Sequence, residues 1–257
     1  MDLRFSANLG FLWTELALPD AVHAAAAAGF DAVELHWPYT VDATLLADAL
    51  EKAGVPALGL NTARGDVGNG DFGLSALPGR SDEARAAIDD AIAYAVRIGA
   101  KAVHVMAGKT DAAEAEETFV ENLRYAADRA MPHGITILLE PLNLHDVPGY
   151  FLTGNAHAAT IIEASRRDNV RIMFDCYHVG RRGEQLMAEF VRHRGLVGHV
   201  QFAGLPDRGE PDRGEVDYRL LLPALVEQGF AGIFGAEYKP RGSTEAGLGW
   251  LKAWKGS

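Results

Sequence analysis

Short apolar runs alternate with helix-like segments along the whole chain, and this alternation constrains the fold more than any other feature. The first runs are Leu3-Arg4-Phe5-Ser6-Ala7-Asn8, Asp31-Ala32-Val33-Glu34-Leu35-His36, Ala57-Leu58-Gly59-Leu60-Asn61 and Ala102-Val103-His104-Val105-Met106. Runs of this length and apolarity read as buried strands. Between them, a helix is expected from Pro19 to a stop at Gly29, and others over 42–53, 82–98 and 112–131. The stops fall at Gly29, Gly54, Gly99 and Gly134, where a residue without a Cβ can take the left-handed conformation of a helix end. Strand–helix alternation of this kind predicts an α/β fold with parallel strands. About eight units can be counted, the number that closes a (β/α)8 TIM barrel. With 257 residues and no linker or composition break, the chain is expected to form a single domain over 1–257. An open, doubly wound sheet is the rival architecture, but no glycine-rich dinucleotide fingerprint follows the first strand.

The second half of the chain carries the chemical signal. Four runs each end at a side chain with an oxygen to offer: Glu140 after Ile135–Leu139, Asp175 after Val170–Phe174, Gln201 after Leu196–Val200 and Glu237 after Gly232–Ala236. If these strands are parallel neighbours, the four oxygen donors meet at one mouth. Several carboxylates brought together without a cation must protonate or repel. A hard divalent ion, Mg2+ or Mn2+, removes that conflict and prefers oxygen ligands. Any one of these residues alone reads as a solvated strand end. Four in consecutive units read as a site.

Other residues are candidates to bind substrate. His178, just beyond Asp175, is placed to reach a substrate oxygen, although a loop histidine bonded to a backbone carbonyl is the plainer reading. Arg208 lies seven positions after Gln201 in a long loop, and its planar fork suits a carboxylate or hydroxyl. Lys239 is a weaker candidate for the same work. Glu34, His36, Asn61 and His104 fall near the ends of earlier strands, where lining the mouth competes with hydrogen bonding inside the barrel. Phe11, Trp13 and Tyr39 could wall a pocket or pack in the core. The long glycine-rich loops 62–80 and 203–217 both follow strands and are expected on the same face. His133 and His193 are assigned no catalytic role.

Composition narrows the partners. The formal charge of −11 argues against sequence-independent binding to nucleic acid. No apolar stretch approaches the roughly 20 residues needed to span a membrane. The N-terminal Met1-Asp2-Leu3-Arg4-Phe5 lacks the pattern of a signal peptide. The single cysteine, Cys176, fits a reducing compartment. A soluble cytoplasmic protein is the expectation. The helical exterior of a barrel leaves homo-oligomerisation open.

Several segments together resemble the hydroxypyruvate isomerase family within the xylose-isomerase-like TIM barrels. They are Leu77-Pro78-Gly79-Arg80, Glu140-Pro141-Leu142-Asn143, Phe174-Asp175-Cys176-Tyr177-His178, His199-Val200-Gln201, Gly209-Glu210-Pro211 and Gly235-Ala236-Glu237-Tyr238. The likeness covers nearly the whole chain. Related ketose 3-epimerases usually carry histidine where Gln201 stands, so the glutamine favours the hydroxypyruvate isomerase branch, which also contains 2-oxo-tetronate isomerases. The resemblance implies that Glu140, Asp175, Gln201 and Glu237 hold a metal and that Glu140 and Glu237 act as acid and base. It implies substrate contacts for His178 and, more loosely, Arg208. The expected reaction is isomerisation of a short hydroxy-carbonyl acid, such as hydroxypyruvate to tartronate semialdehyde, through an enediolate. The rival functions are a ketose or inosose epimerase or isomerase, a metal-dependent phosphodiesterase on the same fold, and a sugar-acid binding protein.

Overall fold

The computed structural model describes residues 3–255, so the two outermost residues at each end of the expected 1–257 domain lie outside the described residues. The elements alternate as β1 (Phe5–Asn8), α1 (Leu18–Ala28), β2 (Ala32–Glu34), α2 (Ala43–Ala53), β3 (Gly59–Asn61), α3 (Ser81–Ile98), β4 (Ala102–His104) and α4 (Ala115–Ala130). The second half continues with β5 (Thr136–Leu139), α5 (Asn155–Ser165), β6 (Val170–Asp175), α6 (Cys176–Arg181), α7 (Leu186–His193), β7 (Val197–Phe202), α8 (Tyr218–Glu227), β8 (Phe234–Ala236) and α9 (Gly249–Lys255).

All eight strands are parallel neighbours in the order β2-β1-β8-β7-β6-β5-β4-β3. A parallel bridge between Val33 and Ala57 joins the two ends of that order. Backbone hydrogen bonds cross the junction, from Val33 N–H to the Pro56 carbonyl at 3.0 Å and from Leu58 N–H to the Val33 carbonyl at 2.8 Å. The expected (β/α)8 barrel is therefore the observed one. Its main core lies between the strands and the surrounding helices, where Phe5, Ile88, Phe119, Ile161, Phe174 and Leu222 are fully shielded from solvent.

The helix ends show why the chain alternates as it does. Asp42 caps α2 by accepting the Thr44 N–H at 2.8 Å, satisfying an amide that has no partner within the helix. Gly54 closes the same helix at φ 69°. The segment expected as one helix over 112–131 is shorter. Thr110 Oγ1 accepts the Ala112 N–H at 3.1 Å, and α4 starts only at Ala115. At the other end it tightens into a 3-10 turn over Met131–His133, because Pro132 has no N–H to continue the α-helical pattern.

Candidate active site

A parallel barrel places every strand's C-terminal end on one face, and the side chains there converge. Asp175 ends β6 and pairs in register with Gln201 of β7. Glu140 and Glu237 each stand one residue beyond β5 and β8. All four are buried, between 2% and 7% exposed. Glu140 and Glu237 line a cavity of about 210 Å3 at the mouth, with Phe11, His36, His178 and Arg208 among others, whereas Gln201 lines a second cavity inside the barrel.

The two glutamates have opposite surroundings. Glu237 Oε1 accepts from Asn8 Nδ2 at 2.9 Å and lies 3.0 Å from His36 Nε2. Its Oε2 pairs with the Arg208 guanidinium. Burial alone would raise its pKa, but Arg208 and His36 outweigh burial and hold it down at about 2. Glu140 has no such partner. Burial, reinforced by the charges of Glu237 and Asp175, pushes its carboxyl well above the ordinary carboxylate range. His104 Nδ1 and His178 Nε2 lie 3.6 and 3.7 Å from it, beyond hydrogen-bonding reach. Asp175 is intermediate. Burial raises it to about 7 despite the pull of Arg208, while the Tyr177 N–H donates to its Oδ1 at 2.7 Å.

Three buried oxygens here have no hydrogen-bond donor: Glu140 Oε1, Asp175 Oδ2 and Gln201 Oε1. Unsatisfied polar atoms are rare in protein interiors, and these three belong to the oxygen ligand set expected from the sequence. One atom each from Glu140, Asp175 and His178 lies within 4.8 Å of the others. The histidine, however, is not free to ligate. Its Nδ1 accepts the backbone N–H of Asn143 at 3.0 Å, so the neutral ring must carry its proton on Nε2. Burial and nearby Arg208 lower the His178 pKa to about 3, which keeps the ring neutral with Nε2 as a donor toward the mouth. Carboxylate and amide oxygens fit a hard divalent cation.

Arg208 is held with unusual care. Its backbone is left-handed at φ 58°, a conformation that costs a non-glycine residue roughly 1–3 kcal/mol. The Lys239 N–H donates to its carbonyl at 2.7 Å. Its guanidinium lies 4.8 Å from the Phe11 ring centre and 4.9 Å from that of Tyr177, and 3.5 Å from Asp175.

The remaining candidates divide. His36, Asn61 and His104 line the cavity, and burial lowers the His104 pKa to about 4. Lys239 is exposed and does not line the cavity; it contributes through its backbone amide. Glu34 lies below the mouth in the second cavity inside the barrel, of about 290 Å3. Its carboxylate is engaged by Ser6, His199 and Gln201. Among the aromatic candidates only Phe11 lines the mouth. Trp13 is in the core, and the Tyr39 hydroxyl donates to the Asn61 carbonyl behind it. The loops expected over 62–80 and 203–217 reach the mouth through Phe72 and Arg208. Sequence reading passed over Asn8, whose place at the end of the first strand-like run was the available signal. It also assigned no role to Asn143, which orients His178.

A parallel eight-stranded barrel with buried acids at the C-terminal mouth defines an enzyme of the TIM-barrel class. Residues 22–254 match the xylose isomerase-like TIM barrel family model, and the chain belongs to that family. It is 41% identical to the 2-oxo-tetronate isomerase of Cupriavidus necator, over 98% of this chain and 99% of that protein. It is 37% identical to the hydroxypyruvate isomerase of Escherichia coli, over 98% of this chain and 100% of that protein. A crystal structure from Brucella melitensis, described as an AP endonuclease of family 2, superposes with a TM-score of 0.95 at 39% identity, covering 98% and 99% of the two chains. The chain is an enzyme of the isomerase class.

Proposed function

We propose that this enzyme isomerises a short hydroxy-carbonyl acid with a divalent cation, Mg2+ or Mn2+, held by Glu140, Asp175, Gln201 and Glu237. The observation that carries this reading is the set of three buried oxygens without donors, on Glu140, Asp175 and Gln201. When bound, the cation supplies positive charge to balance the negative charge that develops on substrate oxygens. His178 Nε2–H donates to a substrate oxygen, with Asn143 fixing the ring. Arg208 binds the acidic end of the substrate and shields Glu237. Glu140 and Glu237 form the acid/base pair: one removes a proton from the hydroxyl-bearing carbon beside the carbonyl, the other delivers a proton to the former carbonyl carbon, and the hydroxyl proton passes to the former carbonyl oxygen as the enediolate collapses. The residues around the mouth exclude water from that exchange.

The leading substrate is hydroxypyruvate, giving tartronate semialdehyde, with a 2-oxo-tetronate as the alternative. Both suggestions draw on the names of the relatives and on the small volume of the mouth. A cavity of about 210 Å3 and a charge of −11 weigh against nucleic acid as substrate. No helix among the described residues is long and apolar enough to cross a membrane. A single, buried, free cysteine suits the cytoplasm.

The test is proton NMR in D2O with Mg2+, offering hydroxypyruvate, a 2-oxo-tetronate and neutral ketoses. Mg2+-dependent exchange and product formation with an acid support the reading, and the preferred acid names the substrate. Turnover of neutral ketoses alone would replace it with an epimerase-type activity. Turnover independent of added metal after chelation would remove the cation.

A further inference from the structure

We infer that Glu34 is a positioning residue for the cation site, fixing the side-chain amide of Gln201 so that its oxygen, not its nitrogen, is offered as a ligand. This rests on the cation reading above. The two ends of a glutamine amide are nearly equal in size, so packing alone cannot choose between them. Hydrogen bonding can. Gln201 Nε2 donates to Glu34 Oε2 at 2.7 Å. The other Glu34 oxygen faces the Ser6 hydroxyl at 2.5 Å and His199 Nε2 at 3.1 Å. Glu34 is thus the common acceptor for groups reaching it from β1 and β7. A carboxylate surrounded by donors offers only acceptors, so it binds the nitrogen end of the amide. Gln201 Oε1 is turned away from Glu34, is buried and has no donor. Gln201 pairs in register with Asp175, which puts both side chains on the same side of the sheet.

The backbone makes room for this contact. Glu34 lies on β2 and Gln201 on β7, with β1 and β8 between them in the barrel wall. The intervening residue of β8, in register with Gln201, is Gly235. A Cβ there would stand 2.3 Å from Glu34 Oε1 and 2.9 Å from Gln201 Cγ. Only glycine at 235 leaves space for the hydrogen bond to span the barrel. The Gly-Ala-Glu segment therefore serves the site twice, with Glu237 as a ligand and Gly235 as the gap through which Glu34 reaches Gln201.

The experiment is Mn2+ titration of the metal-free protein by calorimetry, with thermal unfolding to confirm that each variant is folded. In Glu34→Gln, nearly the same shape now carries an amide that can donate to Gln201 Oε1 and release the flip. Its Mn2+ affinity is expected to fall roughly 10–100-fold, the range for losing a residue that orients a metal ligand. Gln201→Ala also weakens binding, and adding Glu34→Gln to it should change affinity less than about 2-fold, because coupled residues are not additive. Gly235→Ala should reproduce the loss with Glu34 intact, and it serves as the second variant if Glu34→Gln does not fold. Unchanged affinity in Glu34→Gln overturns the inference, as does a full further loss on the Gln201→Ala background. A wild-type protein that binds no Mn2+ overturns the cation reading, and the inference with it.

Discussion

The Glu140 and Glu237 sides of the mouth carry the same residue type in opposite states. On the Glu237 side, Asn8 and His36 from the first two β/α units and Arg208 from the loop after β7 all converge on one carboxylate. On the Glu140 side, two imidazoles stand off at 3.6 and 3.7 Å and one oxygen has no donor at all. On the first side both carboxylate oxygens already meet protein donors, and on the second, one oxygen meets none. The contrast teaches that burial does not fix a carboxylate's protonation. Burial pushes both groups upward, and the fixed cation and donors decide where each ends. Two carboxyls pushed apart in this way are suited to exchange roles as acid and base.

The comparison can be broken most severely at the carboxylates themselves. Glu237→Gln and Glu140→Gln should each lower turnover at least ~10²-fold while leaving the fold intact, measured by steady-state kinetics and circular dichroism. Near-normal turnover in both would remove the acid/base pair. Arg208→Ala acts on one side only. With the guanidinium gone, Glu237 loses the main influence holding its pKa near 2, so the acid limb of the kcat/KM profile should move to higher pH. KM for an acidic substrate should also rise about 10-fold, as for loss of one charged contact. An unmoved limb would detach Arg208 from Glu237.

A quieter test uses the metal-free protein. The folded-state pKa of Glu140 lies above its ordinary value of 4.5, so its contribution to stability is full below about pH 4.5 and is lost as pH rises toward the folded value. Glu140→Gln cannot ionise and escapes that loss. At pH 8 the metal-free variant should be more stable than wild type by roughly 1–3 kcal/mol, visible as roughly 2–4 °C in Tm for each kcal/mol. At pH 4 the difference should shrink. Smallest is a control far from the mouth. Asp42→Ala removes the α2 cap and should cost ~1 kcal/mol of stability, with turnover unchanged.

The acids were legible in the sequence because a strand ending in a carboxylate is conspicuous after a run of apolar residues. Glu140, Asp175 and Glu237 were placed by that pattern, and the parallel order of the strands followed from glycine-stopped helices. Much of the other side was harder to read. The bonds of Asn8 and His36 to Glu237 cross the barrel between positions 229 and 201 residues apart. No local spacing carries that information. Glu34 was legible as a polar residue near a strand end, but not as a group lying below the mouth, because the space above Gly235 exists only once the strands close. Lys239 was the weaker candidate for the binding work of Arg208, and only its backbone amide meets Arg208 while its side chain is exposed. The early end of α4 turned on Pro132, whose missing donor was visible in the sequence.

The bridge between Val33 and Ala57 does more than complete a circle. An open sheet exposes two outer strands whose unpaired backbone groups can template another chain. Here β2 and β3, the last two strands in the hydrogen-bonding order, satisfy each other. The described barrel therefore offers no strand to which a second molecule could add its own. Any association between copies must be made by helices and loops, through side chains, and can evolve without disturbing the hydrogen-bonded wall that holds the mouth in shape.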